Sequence, residues 1–420
     1  MTAPSGPTPA PPMAATAPGL AGLPGVRTLR SPAFRLVLAW TLAAIGILVL
    51  GAAMLRQATL PSGQFAIDLA DYHGAARALV HTGSPYAPEM LAGPVDAQGL
   101  GRYRYPPPLA QLLVPVSDLP LGTVAAGWLV LQALAMGAAV WLALGIAGVR
   151  RHAERLAWSI VACLAFMPVF DTLWKGNVSG FVALGVTLVA AGGTVAGAGA
   201  VLATLLKVMP VTFLPALVVA GRRAIVAAVL TFLAVVGVSW LLSPGAWADY
   251  ARVLPNLLGG SADYSTNLAP ATLLARAGAP APLPDLVRAA TVLLAAACAL
   301  AAPVVAWHIR EPRGWATATT LGVVAMLLLP AAAWYHYLAV LLPVGVLAWP
   351  AASGSARAAL LGGAAFVSLG VAILPLATLG ATFLVLAALA VHFRLPGAAR
   401  SAAADAPLPV APPRPAEARA

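Results

Sequence analysis

The stretch "LVLAWTLAAIGILVLGAA" occupies residues 36–53 and contains no charged side chain. A helix needs about 20 predominantly apolar residues to cross the hydrocarbon core of a bilayer. Arg27, Arg30 and Arg35 precede the run, which is longer than the apolar core of a secretory signal peptide. This stretch therefore predicts an uncleaved first membrane span.

The same pattern recurs along the chain, which is 61% hydrophobic and only 9% charged. A soluble domain carries about 25% charged residues. We therefore predict an all-α polytopic membrane protein with about 10–12 transmembrane helices. Its single membrane domain is expected at residues 34–394, between disordered cytoplasmic tails at residues 1–33 and 395–420 that are rich in Pro and Ala. Residues 178–220 are expected to cross once or three times.

Charge predicts the orientation of these spans. With the N-terminus in the cytoplasm, the cytoplasmic tails and connections hold 15 Arg and four acidic residues, a net charge of +11. The other side holds nine basic and nine acidic residues. This is the positive-inside pattern of membrane proteins. It also argues against a nucleic-acid surface, in which basic residues are interleaved with aromatic ones.

The long polar segments fall on the predicted outer side. Loop 56–120 contains the amphipathic stretch "LADYHGAARALVHTG" and the turn "YRYPPPL", and loop 243–285 contains "WADYARVLPNLL" and "GSADYSTNLAP". Three short outer connections are "DTLWKGN", the neighbourhood of "LLKVMP", and "AAAWYHY". Polar and aromatic residues therefore collect on one face, and loop 56–120 is expected to be helical.

Common cofactor and metal motifs are absent from the sequence. The two cysteines, Cys163 and Cys298, lie inside apolar runs without the spacing of a disulfide framework or a metal site. We found no GxGxxG, Walker or HExxH motif in a suitable context. The sequence predicts neither a cofactor nor a metal site.

Several of the outer segments resemble one family. Asp68 and Tyr72 are followed by "GAARALVHTGSPY", and then come "YPPPLAQLLVPVSDLP", "GNVSGFVAL", "ATLLKVMPVTFLPALVVAGRR" and "LLLPAAAWYHYLAVLLP". In this order, from about residue 34 to 350, they resemble bacterial glycosyltransferase family 87 of the GT-C superfamily. One departure is Lys175-Gly176-Asn177, because the family often has Gly-Gln before the Asn.

The resemblance implies a GT-C fold in a bacterial plasma membrane. It implies a polyprenyl-phosphate sugar donor, usually mannose, and a glycolipid or glycan acceptor on the outer face. An arabinose or other pentose donor stays open. A lipid or sugar transporter or flippase is the alternative from another class, but it should show internal repeats or a polar path through the midplane.

Two carboxylates in the first outer loop are candidates for a general base. Partial desolvation at a membrane boundary raises a carboxyl pKa toward working pH, which suits proton abstraction from an acceptor hydroxyl. Asp68 is the predicted base, with a helix N-cap or solvated residue as the structural alternative. Asp71 lies one turn further on and is the second candidate, or a supporting contact.

Cationic and amide side chains are candidates for binding the donor. Lys207 lies within an apolar run, so it either meets the donor phosphate or extends to the membrane surface. His336 is either a phosphate contact or proton partner near Asp68, or one member of an interfacial aromatic belt. Weaker candidates for donor phosphate or sugar are Lys175, Asn177, Arg104, Tyr105 and Asn267.

Overall fold

The protein is described from a computed structural model, which covers residues 31–59, 65–93, 103–150, 152–259, 267–309 and 312–393. The described residues form α-helices and short 3₁₀ turns, and they contain no strand. This confirms the predicted all-α class. The predicted tails lie outside the described residues, apart from residues 31–33. Residues 32 and 33 already belong to the first helix.

Eighteen α-helices are present in the described part of the chain. They are α1 (Pro32–Thr59), α2 (Ile67–Thr82), α3 (Pro88–Ala92), α4 (Pro107–Leu113), α5 (Leu121–Ile146), α6 (Ala153–Ala165), α7 (Met167–Lys175), α8 (Ser179–Ala191), α9 (Gly193–Leu206), α10 (Leu214–Ala220), α11 (Arg222–Leu242), α12 (Pro244–Gly259), α13 (Pro270–Arg276), α14 (Leu283–His308), α15 (Pro312–Leu328), α16 (Leu341–Ala348), α17 (Gly354–Leu369) and α18 (Leu374–His392). The 3₁₀ turns are Val114–Val116, Met209–Phe213, Tyr335–Val340 and Trp349–Ala351.

Five of these helices are long and apolar enough to cross a membrane: α1, α5, α11, α14 and α18. Helices α6 and α7 qualify together but are bent by 70° at Phe166, which makes them a broken span or a re-entrant loop. Pro168 explains the break, because a proline early in α7 cannot donate its amide to the preceding turn. The predicted 10–12 spans would also require the shorter apolar helices to cross.

Small residues bring the helices close together. At the α8–α9 contact, a Cβ added to Gly185 would lie 2.8 Å from both Ala203 Cβ and the backbone oxygen of Gly199. Glycine at these positions permits the close backbone approach that is common between membrane helices. Because α8 and α9 are joined only at Gly192, they form an antiparallel hairpin. Residues just before α8 and just after α9 therefore meet at one end.

The segment between α1 and α5 packs as an aromatic layer. Helix α2 buries Leu69 and Tyr72, and the following segments bury Tyr86 and Tyr103. The hydroxyl of Tyr103 donates to the carbonyl of Pro106 at 2.5 Å and accepts from the amide of Ala110 at 3.0 Å. This predicted outer loop is therefore folded onto the helix bundle where it is described, and it holds the start of α2 in one place.

Candidate active site

The start of α2 docks on the turn between α7 and α8. The amide of Ala66 donates to the carbonyl of Trp174 at 2.8 Å. Gly176 has a φ of +66°, and a Cβ there would lie 2.7 Å from Leu69 Cβ. Only glycine allows both this conformation and this approach without displacing α2. The contact brings Asp68 next to the residues that follow Gly176.

Asp68 lies in the first turn of α2 but does not cap it. The N-cap position is Ala66, which has φ 56° and ψ 28° and no side chain able to cap. The carboxylate of Asp68 instead accepts a hydrogen bond at 2.8 Å from Nδ2 of Asn177. The N-cap alternative for Asp68 is therefore wrong, and its side chain belongs to a long-range polar contact.

Asn177 is the centre of the polar cluster, and the residue is 1% exposed. Besides Asp68, its Nδ2 donates to the hydroxyl of Tyr72 at 3.2 Å. Its Oδ1 accepts from the amide and hydroxyl of Ser179 at 3.0 and 2.7 Å, and from Nζ of Lys207 at 3.2 Å. One buried amide thus joins a carboxylate on one side to an ammonium group on the other.

Lys207 points into the protein and is only 5% exposed. Its Nζ lies 3.4 Å from Oγ of Ser179 and 3.5 Å from the ring centroid of Tyr337, a cation–π distance. The α8–α9 hairpin accounts for this position, because Lys207 directly follows α9. The ammonium group of Lys207 therefore faces the polar cluster, whereas the alternative from the sequence had it extending to the membrane surface.

Tyr105 and Arg104 border the same cluster. The hydroxyl of Tyr72 donates to that of Tyr105 at 3.1 Å, and the two rings meet edge to face. Burial raises the pKa of Tyr72 well above its ordinary value, so this hydroxyl stays neutral. Arg104 interacts electrostatically with Tyr105 and Tyr337. The predicted donor-binding turn therefore lies beside Asp68 and Lys207.

His336 lies in a second polar group that adjoins the first. Its ring contacts the ring of Tyr337, over which Lys207 lies, and it interacts electrostatically with Asp68 and Lys207. Nδ1 of His336 is 3.4 Å from Oδ2 of Asp171, which also pairs with Lys175 at 3.1 Å. The structure thus brings His336 and Lys175 together through a carboxylate that sequence reasoning did not single out.

Asp71 and Asn267 are the remaining predicted site residues. Asp71 is half-buried one turn after Asp68, whereas Nδ2 of Asn177 donates to Asp68 and Tyr72. Asn267 is fully buried and holds two backbone segments together, donating to the carbonyl of Ala331 and accepting from the amides of Ala269 and Ala333. Their predicted roles stay predictions. The described residues contain no group of three or more His, Cys, Asp or Glu that could hold a metal.

Sequence reasoning missed several polar residues that shape the site. Gln132, within α5, donates from Nε2 to the backbone oxygen of Asn177, and a Cβ at Gly180 would collide with it. Trp128 donates from Nε1 to the carbonyl of Gly176 at 2.7 Å. A lone amide in an otherwise apolar span was the available signal for Gln132, because such a group needs a partner inside the membrane.

These features define a polytopic α-helical membrane protein with a buried carboxylate–amide–ammonium cluster at one end of a helix hairpin. The profile of glycosyltransferase family 87 matches residues 103–330, just over half of the chain. The protein belongs to this family and is a membrane glycosyltransferase. No curated protein and no solved structure matches it. Asp68 and His336 lie outside the matched residues, so their place in the site comes from the structure.

Proposed function

We propose that this glycosyltransferase moves a mannosyl unit from a polyprenyl-phosphate donor to a hydroxyl of a glycolipid or glycan acceptor, on the outer face of a bacterial plasma membrane. The observation that carries the proposal is the Asn177 amide, which links the carboxylate of Asp68 to the ammonium of Lys207. Glycosyl transfer from such a donor needs a base and a cation close together, and these two groups supply them.

Asp68 acts as the general base in this proposal. The acceptor hydroxyl forms a bond to C1 of the sugar and gives its proton to the carboxylate. Asn177 donates a hydrogen bond to Oδ2 of Asp68, so Oδ1 is the carboxylate oxygen that takes the proton. Holding the base in one orientation contributes to the rate, because the carboxylate must lie within hydrogen-bond reach of the acceptor.

Lys207 and His336 bind the leaving group and stabilise its charge. As the bond between C1 and the phosphate oxygen breaks, the polyprenyl phosphate departs with the electron pair. The charge of the phosphate group changes from −1 to −2. Lys207 is buried over the ring of Tyr337, and burial lowers its pKa well below the ordinary value. The developing dianion favours the ammonium form of Lys207, which stabilises the dianion in turn. Preorganised cations in a water-poor site are effective at stabilising such charge. Arg104, at the edge of the cluster, adds a further cation.

The donor sugar is tested with purified protein in proteoliposomes. We expect transfer from synthetic polyprenyl-phosphate mannose to a membrane-extract acceptor, with a product heavier by one hexose in a mass spectrum. Polyprenyl-phosphate arabinose is supplied in a parallel reaction, and Asp68→Asn is the matched control for both. Transfer only from the arabinose donor would replace mannose by a pentose. Movement of intact donor across the bilayer without a glycosylated product would favour a transporter.

The outer-face orientation is tested by cysteine labelling. Glu89 is exposed on α3 in the predicted outer loop, and Ser355 is exposed at the start of α17 on the predicted cytoplasmic side. With Cys163 and Cys298 replaced by Ala, Glu89→Cys should react with an impermeant maleimide in intact cells, whereas Ser355→Cys should react only after lysis. The reverse pattern would place the active site on the cytoplasmic face. It would contradict the use of a polyprenyl-phosphate donor on the outer face.

A further inference from the structure

Asp171 lies where it can control His336. Helix α7 carries Asp171 toward the 3₁₀ turn Tyr335–Val340, and Thr172 Oγ1 lies 3.4 Å from the carbonyl oxygen of His336. The carboxylate oxygen Oδ2 of Asp171 is 3.4 Å from Nδ1 of His336. That distance suits an ion pair but exceeds that of an ordinary hydrogen bond. Catalytic contacts are often long before substrate binds and tighten afterwards.

Neither ring nitrogen of His336 has a hydrogen-bond partner among the described residues, but Nδ1 faces the carboxylate of Asp171 whereas Nε2 belongs to no ion pair there. Nε2 is buried, and His336 as a whole is 3% exposed. A buried nitrogen without a hydrogen-bond partner is destabilising and uncommon in native proteins, so it calls for an explanation. The ring also interacts with Asp68 and Lys207, the two groups of the proposed reaction centre.

We propose that Asp171 is a positioning residue that keeps the hydrogen of His336 on Nδ1, so that Nε2 is the nitrogen presented to the sugar donor. A carboxylate accepts hydrogen bonds and cannot donate them when ionised. Nδ1 facing Asp171 therefore carries a hydrogen in both the neutral and the protonated ring. This inference rests on the proposed function for its ligand, the phosphate of the donor.

Lys175 completes the arrangement by balancing the charge of Asp171. Lys175 pairs with the same oxygen, Oδ2, that faces His336. The carboxylate of Asp171 is thus compensated by an ammonium group. Burial lowers the pKa of His336 to about 4, so the ring is neutral in the free site, and the negative charge of a bound donor phosphate favours its protonated form. In that state Nε2–H donates a hydrogen bond to a phosphate oxygen and keeps its proton.

A double-mutant cycle measures whether Asp171 acts through His336. Turnover is compared among the parent, Asp171→Asn, His336→Gln and the double variant. We expect Asp171→Asn to lower kcat by about 10²–10⁴-fold with little change in donor KM, the upper value being that of a triad carboxylate that fixes a histidine tautomer. In the His336→Gln background the same change should cost less than about two-fold. An equal loss in both backgrounds, or unchanged turnover in Asp171→Asn, would overturn the inference.

A spectroscopic readout tests the inference without activity. The chain has 6 His, so the ¹⁵N ring signals of His336 can be assigned by their loss in His336→Gln. We expect the parent to show a hydrogen on Nδ1, and Asp171→Asn to shift the population toward the Nε2–H tautomer. A parent spectrum with Nδ1 unprotonated contradicts the proposal. Asp118→Asn, at an exposed carboxylate in the predicted outer loop 56–120, is the matched control and should change neither readout.

The two proposals fail in different ways. If Asp68→Asn keeps full transfer activity, the proposed reaction centre is wrong, yet the tautomer of His336 still decides the role of Asp171. If Asp68→Asn is inactive while His336 shows no dependence on Asp171, the reaction centre stands and the positioning role is lost.

Discussion

Replacing Asp68 with Asn is expected to lower the turnover of sugar transfer by about 10²–10⁴-fold, the usual effect of losing a general base. The reason is chemical rather than structural. An amide oxygen at position 68 still accepts the hydrogen bond from Asn177, whereas it cannot take a proton from the acceptor. The measurement is the initial rate of transfer from saturating polyprenyl-phosphate mannose in proteoliposomes.

The stability cost of this substitution is expected to be small. Asp68 is not the N-cap of α2, so no cap is lost. Removing a negative charge from the first helical turn costs about 0.3–1 kcal/mol. The expected loss of rate corresponds to about 3–5 kcal/mol of barrier height. Thermal unfolding in detergent and donor binding should therefore stay close to the parent while turnover falls.

Asp71→Asn is the matched control, since it makes the same chemical change one turn along α2. We expect a much smaller loss there, because the hydrogen bonds of Asn177 reach Asp68 and Tyr72. If Asp71→Asn were inactive and Asp68→Asn active, the two carboxylates would exchange roles. If both variants kept their activity, the carboxylate mechanism would be wrong for this protein.

The sequence predicted well the features that depend on composition, or on one residue whose charge is energetically unfavourable in lipid. The apolar runs predicted the all-α membrane class correctly, whereas the number of times that residues 178–220 cross the membrane stays a prediction. Lys207 was recognised because a charge in an apolar run is expensive in lipid. Its burial against Asn177 and Tyr337 agrees with that argument.

The sequence did not predict how the polar residues connect. Asn177 was a weak candidate because asparagine is common in loops, and nothing in its neighbours shows that it spans from Asp68 to Lys207. Asp171 and Lys175 are spaced as an ordinary surface ion pair on a helix. Only the bend at Phe166 and the position of the Tyr335–Val340 turn bring that pair against His336. Such contacts depend on tertiary packing, which one sequence does not encode locally.

Replacing Lys207 with Met is expected to lower kcat/KM for the donor by about 10²–10³-fold, the typical cost of removing one preorganised group that stabilises developing charge. Methionine is unbranched and of similar length, so it can fill the space over the ring of Tyr337 without overpacking. Asn177 keeps the hydrogen bonds from Ser179 to its Oδ1, and it keeps its own bond to Asp68. The site should thus retain its shape and lose only its buried charge.

Stability should move little, or even rise, in Lys207→Met, because the desolvation cost of the buried ammonium group is removed while the half-buried Asp68 keeps its hydrogen bond from Asn177. A fall in activity together with an unchanged or higher unfolding temperature is the pattern of a residue kept for function. Ser179→Ala is the control: it removes a neighbour 3.4 Å from the ammonium group but leaves the charge in place, so a loss below about ten-fold is expected. Were Lys207→Met to stay within about two-fold of the parent with donor and acceptor both varied, Lys207 would not meet the donor phosphate. The proposed stabilisation of the leaving group would then fall to His336 and Arg104.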